Sequence, residues 1–129
     1  TWTQATYRSG AGLAGNTIPM VPKLMANTAV NWSISDASKV SVAAQYVSQQ
    51  YFDNDQSNAF GRKLPAYTVV DAKFSQAFGK HVSATFSVNN LFNRHYATYG
   101  GTDAYTSPTA YDLYPANARN YQAAVTYTF

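Results

Sequence analysis

The 129-residue sequence contains no cysteine, which excludes a disulfide scaffold, a Cys-ligated zinc or iron-sulfur centre, and a cysteine nucleophile. It is also short of charge, because its nine Lys and Arg and six Asp and Glu make up only 12% of the chain, about half the share usual on a soluble surface. Apart from the adjacent Arg62 and Lys63, those nine basic residues are spread singly, so the net charge of +3 builds no basic face and nucleic acid is not an expected partner. No run approaches the roughly 18 to 20 apolar residues of a membrane helix, and the mean hydropathy is −0.31. Neither an initiator Met nor a signal segment precedes Thr1, and the sequence reads as a mature product or a piece of something longer. The length suits one modest architectural unit.

Catalytic motifs are missing too. There is no Gly-x-Ser-x-Gly elbow, no Walker loop and no His-Glu-x-x-His, and the six acids form no strand-facing pair for acid-base work, so no enzyme activity and no cofactor are expected. His81 and His95 lie far apart in the chain without a carboxylate at ligand spacing, which argues against a protein metal site.

What fills the sequence is Tyr, Phe and Trp, at 16%, together with Ser, Thr, Asn, Gln and Ala. Gly- and Pro-rich or polar stretches at 9–23, 53–65 and 93–118 read as loops. Between them apolar residues recur at every second position, the period of strands with two unlike faces. One set of faces comprises Leu24, Ala26, Thr28, Val30, Trp32 and Ile34; Val40, Val42, Ala44 and Tyr46; Val70, Ala72, Phe74, Gln76 and Phe78; Val82, Ala84, Phe86 and Val88; and Tyr121, Ala123, Val125, Tyr127 and Phe129. All but Thr28 and Gln76 are apolar or aromatic. The opposite faces, such as Asn27, Asn31 and Ser33, or Ser83, Thr85, Ser87 and Asn89, are mostly small and uncharged. Thr1 to Tyr7 is less regular and is expected to add a sixth strand.

A soluble sandwich alternates as well, but its outward faces should carry Lys and Glu. Small neutral faces instead suit a wet barrel lumen, and Trp32, Tyr46, Phe78, Tyr121, Tyr127 and Phe129 fall toward strand ends on the apolar face, where interfacial girdles belong. The fold class is therefore all-β, an antiparallel transmembrane β-barrel segment. Connections alternate long and short along the chain, as outer-membrane barrels require: 8–23, 50–65 and 93–118 are long, 35–38 and 79–80 short. About six strands cannot close a lipid-facing barrel, since single-chain bacterial barrels begin at about eight, and an open sheet in lipid leaves unpaired edges. The segment should form part of a larger barrel.

Several motifs stand in an order that resembles the C-terminal third of TonB-dependent outer-membrane transporters. They are Ile18-Pro-Met-Val-Pro-Lys23, Tyr51-Phe-Asp-Asn54, Leu64-Pro-Ala-Tyr-Thr-Val-Val-Asp71, Val88-Asn-Asn-Leu-Phe-Asn93 with Arg94-His-Tyr96, and Ala118-Arg-Asn-Tyr121 running to Val125-Thr-Tyr-Thr-Phe129. The resemblance spans nearly the whole chain, and its most specific parts are the Val-Asn-Asn-Leu-Phe-Asn block and the terminal aromatic strand. It implies that 1–129 is the C-terminal part of a barrel of about 22 strands, with the plug domain and TonB box absent from this chain. It further implies active import of a metal chelate, most often a ferric siderophore, energised through TonB; haem, cobalamin or another scarce nutrient is the minority cargo. A passive porin fragment is an alternative, which would carry acidic and basic ladders on its lumen face, and a soluble β-module with Tyr-rich binding loops is another. Implied partners are the plug and remaining strands, TonB through the plug, the barrel-assembly machinery, the lipid bilayer with its lipopolysaccharide, and the metal chelate. The implied location is the cell outer membrane, multi-pass, with long loops extracellular and the C-terminus periplasmic.

Within that frame, Arg94, His95, Tyr96, Tyr99, Tyr105, Tyr111 and Tyr114 of the last long loop are candidate ligand contacts. Phenols suit a chelate's organic groups and Arg94 its anionic charge, although Tyr-rich loops also pack against one another, and His95 keeps haem open. Asp71, Lys73, Lys39 and His81 fall on the polar, lumen face, where they would meet the plug or stay solvated. Phe129 with its carboxylate, beside Tyr121 and Tyr127, looks like the signal read by the barrel-assembly machinery, and is equally a girdle aromatic. Asn89 and Asn90 precede Leu91 where a strand gives way to loop, so their amides are expected to satisfy backbone groups as the ladder ends.

Overall fold

A computed structural model describes residues 1–103 and 109–129. The described residues form nine strands: β1 (Met25–Ser33), β2 (Ser38–Val47), β3 (Gln50–Tyr51), β4 (Lys63–Leu64), β5 (Tyr67–Phe78), β6 (Val82–Asn89), β7 (Ala97–Thr102), β8 (Tyr111–Pro115) and β9 (Asn120–Tyr127). The five long ones make a sheet in the order β1-β2-β5-β6-β9, while β3 pairs with β4 and β7 with β8. Two compact units result, one of Asn27–Gln45, Thr68–Arg94 and Asn117–Phe129, the other of Thr1–Ala26, Tyr46–Tyr67 and His95–Ala116.

In the first unit the antiparallel register carries the alternation across three strands. Ala72, Val88 and Tyr121 stand in one row, as do Phe74, Phe86 and Ala123, then Gln76, Ala84 and Val125. Between these lie Lys73, Ser87 and Gln122, and Ser75, Thr85 and Ala124. Directly opposed residues share a face, so the rows separate the apolar set from the polar one as the period-two pattern requires. The apolar face is bare: Trp32 is 64% and Val125 76% exposed. A contiguous uncovered face of this kind belongs against lipid. Polar pairs hold both ends of the β6–β9 ladder. Asn89 Nδ2 donates to Asn120 Oδ1 at 2.8 Å, and Thr128 N–H donates to the His81 carbonyl at 2.8 Å while His81 Nδ1 lies 2.9 Å from the Thr128 carbonyl.

Past β6 the chain turns on two asparagines at positive φ, Asn90 at 54° and Asn93 at 51°, a conformation that Asn tolerates better than most residues. Asn90 is 3% exposed. Its Nδ2 donates to the carbonyls of Arg94 (2.9 Å) and Asn117 (3.2 Å), and its Oδ1 accepts the Arg94 N–H at 2.7 Å. Its own N–H donates to Asp71 Oδ1 at 2.8 Å. The expected role in satisfying backbone groups is thus met by Asn90, whereas the Asn89 amide bonds the Asn120 side chain instead.

The second unit buries Val47, Phe52 and Leu64. Phe52 packs edge-on against Phe60 at 5.6 Å between ring centroids and lies 5.4 Å from Tyr111. Asp53 threads beside β7: its N–H donates to the Gly100 carbonyl at 2.8 Å and its carbonyl accepts the Thr102 N–H at 3.0 Å. Asn58 exchanges two bonds with Thr17, accepting its N–H at 2.7 Å and donating to its carbonyl at 2.9 Å, which fastens one long connection to another.

Two sequence expectations change here. Thr1 to Tyr7 is not a continuous strand; it makes isolated antiparallel bridges from Trp2 to Leu24 and from Thr6 to Thr17. The Gly-rich stretch after it turns back through left-handed glycines, Gly10, Gly12 and Gly15, so no regular ladder can propagate. Conversely, the long connections contain short strands, β3 with β4 and β7 with β8, where turn-forming residues alone suggested loop.

Candidate functional site

The sequence placed seven ligand candidates in one loop, and the structure divides them. Arg94 belongs to the sheet unit, tied there by its backbone bonds to the Asn90 side chain, and its side chain is exposed. His95, Tyr96, Tyr99, Tyr111 and Tyr114 belong to the other unit. Tyr105 lies outside the described residues.

Tyr99 and Tyr114 are cross-strand partners in β7–β8, with rings 5.2 Å apart and nearly perpendicular. They line a cleft of about 240 Å³ with Asn54, Gly101, Thr102, Asp103 and Asp112. The Tyr99 hydroxyl donates to Asp53 Oδ2, and this bond to the carboxylate holds the phenol above the ordinary tyrosine pKa. Two tyrosines are otherwise engaged. Tyr111 packs on Phe52 and Phe60 and accepts a bond from Arg62 Nη1 at 3.3 Å, while Tyr96 packs on Tyr67 at 4.4 Å. His95 is exposed.

Sequence reasoning missed the acidic side of this cleft, Asp103 and Asp112, and the Asp53 carboxylate that holds Tyr99. Asp53 and Tyr99 are 46 residues apart, and nothing local marks a contact of that span. The cleft therefore offers aromatic rings, phenols and carboxylates; the positive charge expected from Arg94 is not part of this unit. No group of three or more His, Cys, Asp or Glu among the described residues has metal-binding geometry.

On the sheet, Asp71 lies with Asn27, Ala29, Ala43 and Gln45 around an open cavity of about 410 Å³ that also touches Thr28 and Ala44. Asp71 thus combines a structural bond to the Asn90 backbone with exposure on the polar face. Lys73 and Lys39 are exposed, whereas His81 is engaged with Thr128 and stacks near Tyr127 at 6.0 Å. Tyr121 stacks on Phe86 at 6.2 Å, and Tyr127 meets Phe129 edge-on at 5.2 Å, so exposed aromatics mark both ends of β9.

The sequence model of the TonB dependent receptor-like, beta-barrel family matches residues 1–91. The pesticin receptor of Yersinia enterocolitica is 32% identical over 89 residues, 67% of this chain and 13% of that protein. The ferrichrome outer membrane transporter/phage receptor of Escherichia coli K12 is 32% identical over 113 residues, 78% of this chain and 15% of that protein. Among solved structures, the ferric-catecholate import receptor of E. coli K12 in its closed form superposes with a TM-score of 0.76 at 20% identity, over 98% of this chain and 18% of that one. The ferric yersiniabactin uptake receptor of Yersinia pestis gives 0.71 at 24% identity, over 91% and 18%. The chain thus spans 13 to 18% of these relatives, and it belongs to the TonB-dependent receptor-like β-barrel family of the outer membrane.

Proposed function

We propose that this chain is the C-terminal stretch of barrel wall and loops in a receptor that imports a metal chelate, a ferric siderophore in the first instance, using energy delivered through TonB. The observation that carries this reading is the family match over residues 1–91, joined to a register that separates a bare apolar face from a polar one across β5, β6 and β9. The relatives' names speak of ferrichrome, ferric catecholate and ferric yersiniabactin, which supports an iron chelate as cargo. In this reading the long connections face outward, the C-terminus is periplasmic, and Asp71, Lys73 and Lys39 face a plug domain. Tyr99 and Tyr114 supply ligand contacts at the outer surface, and His95, exposed in the same unit, is a further candidate. Tyr121, Tyr127 and Phe129 present the strand that the barrel-assembly machinery recognises, and lipid and lipopolysaccharide surround the apolar face.

Uptake of radiolabelled ferric chelates by cells carrying the intact receptor tests this. Accumulation that stops when TonB is removed or the proton gradient is collapsed is expected, and Tyr99→Ala with Tyr114→Ala should weaken chelate binding about three- to tenfold, the cost of one to two lost aromatic contacts. Uptake indifferent to both treatments would overturn the transporter reading in favour of passive passage.

A further inference from the structure

A second cavity, of about 300 Å³, opens among residues 17–23, 46–51 and 63–66, all within one compact unit. Two of its walls are the lysines Lys23 and Lys63, and no carboxylate lines it. Lys63 Nζ lies 4.4 Å from the centroid of Tyr51, its partner in the β3–β4 ladder, so a cation–π contact holds that ammonium at the cavity. Ser48 also lines it; its hydroxyl oxygen accepts the Leu24 N–H at 3.0 Å, which leaves the hydroxyl proton to donate elsewhere.

The most telling group is Gln50. It lines the cavity and is only 7% exposed, and its side-chain amide can both donate to and accept from a ligand there. Two ammonium groups, a hydroxyl and an amide around one cavity free of carboxylates call for an acceptor with several oxygens and negative charge.

We propose that this cavity binds a phosphate group, with Lys23 and Lys63 supplying the charge and Gln50 and Ser48 the directed hydrogen bonds. Its residues are separate from the Tyr99–Tyr114 cleft, so the assignment stands independently of the cargo. The phosphate comes either from a soluble ion or from the phosphorylated headgroup of a glycolipid, and the chemistry of recognition is the same for both.

The test uses the intact receptor in detergent micelles, with inorganic phosphate titrated by calorimetry and a diphosphorylated lipid A titrated by native mass spectrometry. At least one probe should bind, and K23Q/K63Q should weaken it at least tenfold. Gln50→Leu should weaken it severalfold, and Lys80→Gln, which neutralises a lysine in the β5–β6 turn outside the cavity, should leave it unaltered. Phosphate that binds and displaces the lipid identifies a soluble anion as sufficient; lipid binding that phosphate does not displace identifies the headgroup. Failure of both probes at millimolar concentration overturns the proposal. So does wild-type affinity in K23Q/K63Q while its unboiled gel mobility still reports a folded barrel.

Discussion

Gly100 yields its side-chain space to Phe52: a Cβ added at Gly100 would stand 2.5 Å from Cε1 of that ring and 3.2 Å from Leu113 Cδ2. Phe52 is almost wholly buried, and the backbone bond from Asp53 N–H to the Gly100 carbonyl fixes the distance between them. Neither partner can move without giving up the other contact.

Gly100→Ala should therefore overpack the site and destabilise this unit by about 1 to 3 kcal/mol. Hydrogen exchange of the intact receptor would show faster exchange at Asp53 and Thr102, with strands β5, β6 and β9 unchanged. Gly101→Ala, where the nearest atoms stand 3.8 Å away, serves as the comparison and should exchange nearly as the wild type does.

Asn90 ties three backbone groups together through one side chain. Asn90→Ala removes three hydrogen bonds and places alanine at a positive φ, which should cost about 2 to 4 kcal/mol when the unpaired carbonyls and the strained backbone are combined. Asn90→Gly keeps the backbone comfortable and loses only the bonds, so its urea midpoint should fall between alanine and wild type. Equal midpoints for the two variants would show that φ plays no part.

The Asp53–Tyr99 bond has a definite pH signature. Because the Tyr99 pKa is raised by its bond to the Asp53 carboxylate, the contact contributes stability that is full below the ordinary tyrosine value of 10.0 and is lost as pH climbs through the higher folded-state value. A difference titration at 295 nm between wild type and Tyr99→Phe should reveal one tyrosine ionising above pH 10.0. Asp53→Ala should bring that midpoint back down toward it.

Phe129 is fully exposed beside Tyr127, so its truncation removes little folding energy. Phe129→Ser is expected to lower the yield of assembled receptor severalfold while leaving the melting temperature of the assembled fraction within a few degrees, as surface substitutions do. Heat-modifiable gel mobility separates the two quantities.

Legibility in the sequence followed the range of the interactions. The faces of β5, β6 and β9 were readable because a strand's period is local, so Phe74, Phe86 and Val125 advertise their side without reference to any partner. The turn at Asn89–Asn93 was readable for the same reason. The short strands β7 and β8 were not, since Gly100, Gly101 and Pro115 carry loop signals that cross-strand pairing of Tyr99 with Tyr114 overrides. Arg94 and Tyr99 looked like neighbours five residues apart, yet the Asn90 amide ties the first to the sheet unit while Asp53 engages the second. Gln50 carried no signal at all, because an amide becomes conspicuous only once its surroundings have closed around it.

The polar clasps at the two ends of the β6–β9 ladder make that strand pair self-checking during assembly. A slip of one residue would turn every tyrosine of β9 inward and every glutamine and threonine outward, and it would open the Asn89–Asn120 and His81–Thr128 clasps together. A misaligned pair thus loses its lipid match and both terminal fastenings in a single step, and has no partially satisfied resting place on the way.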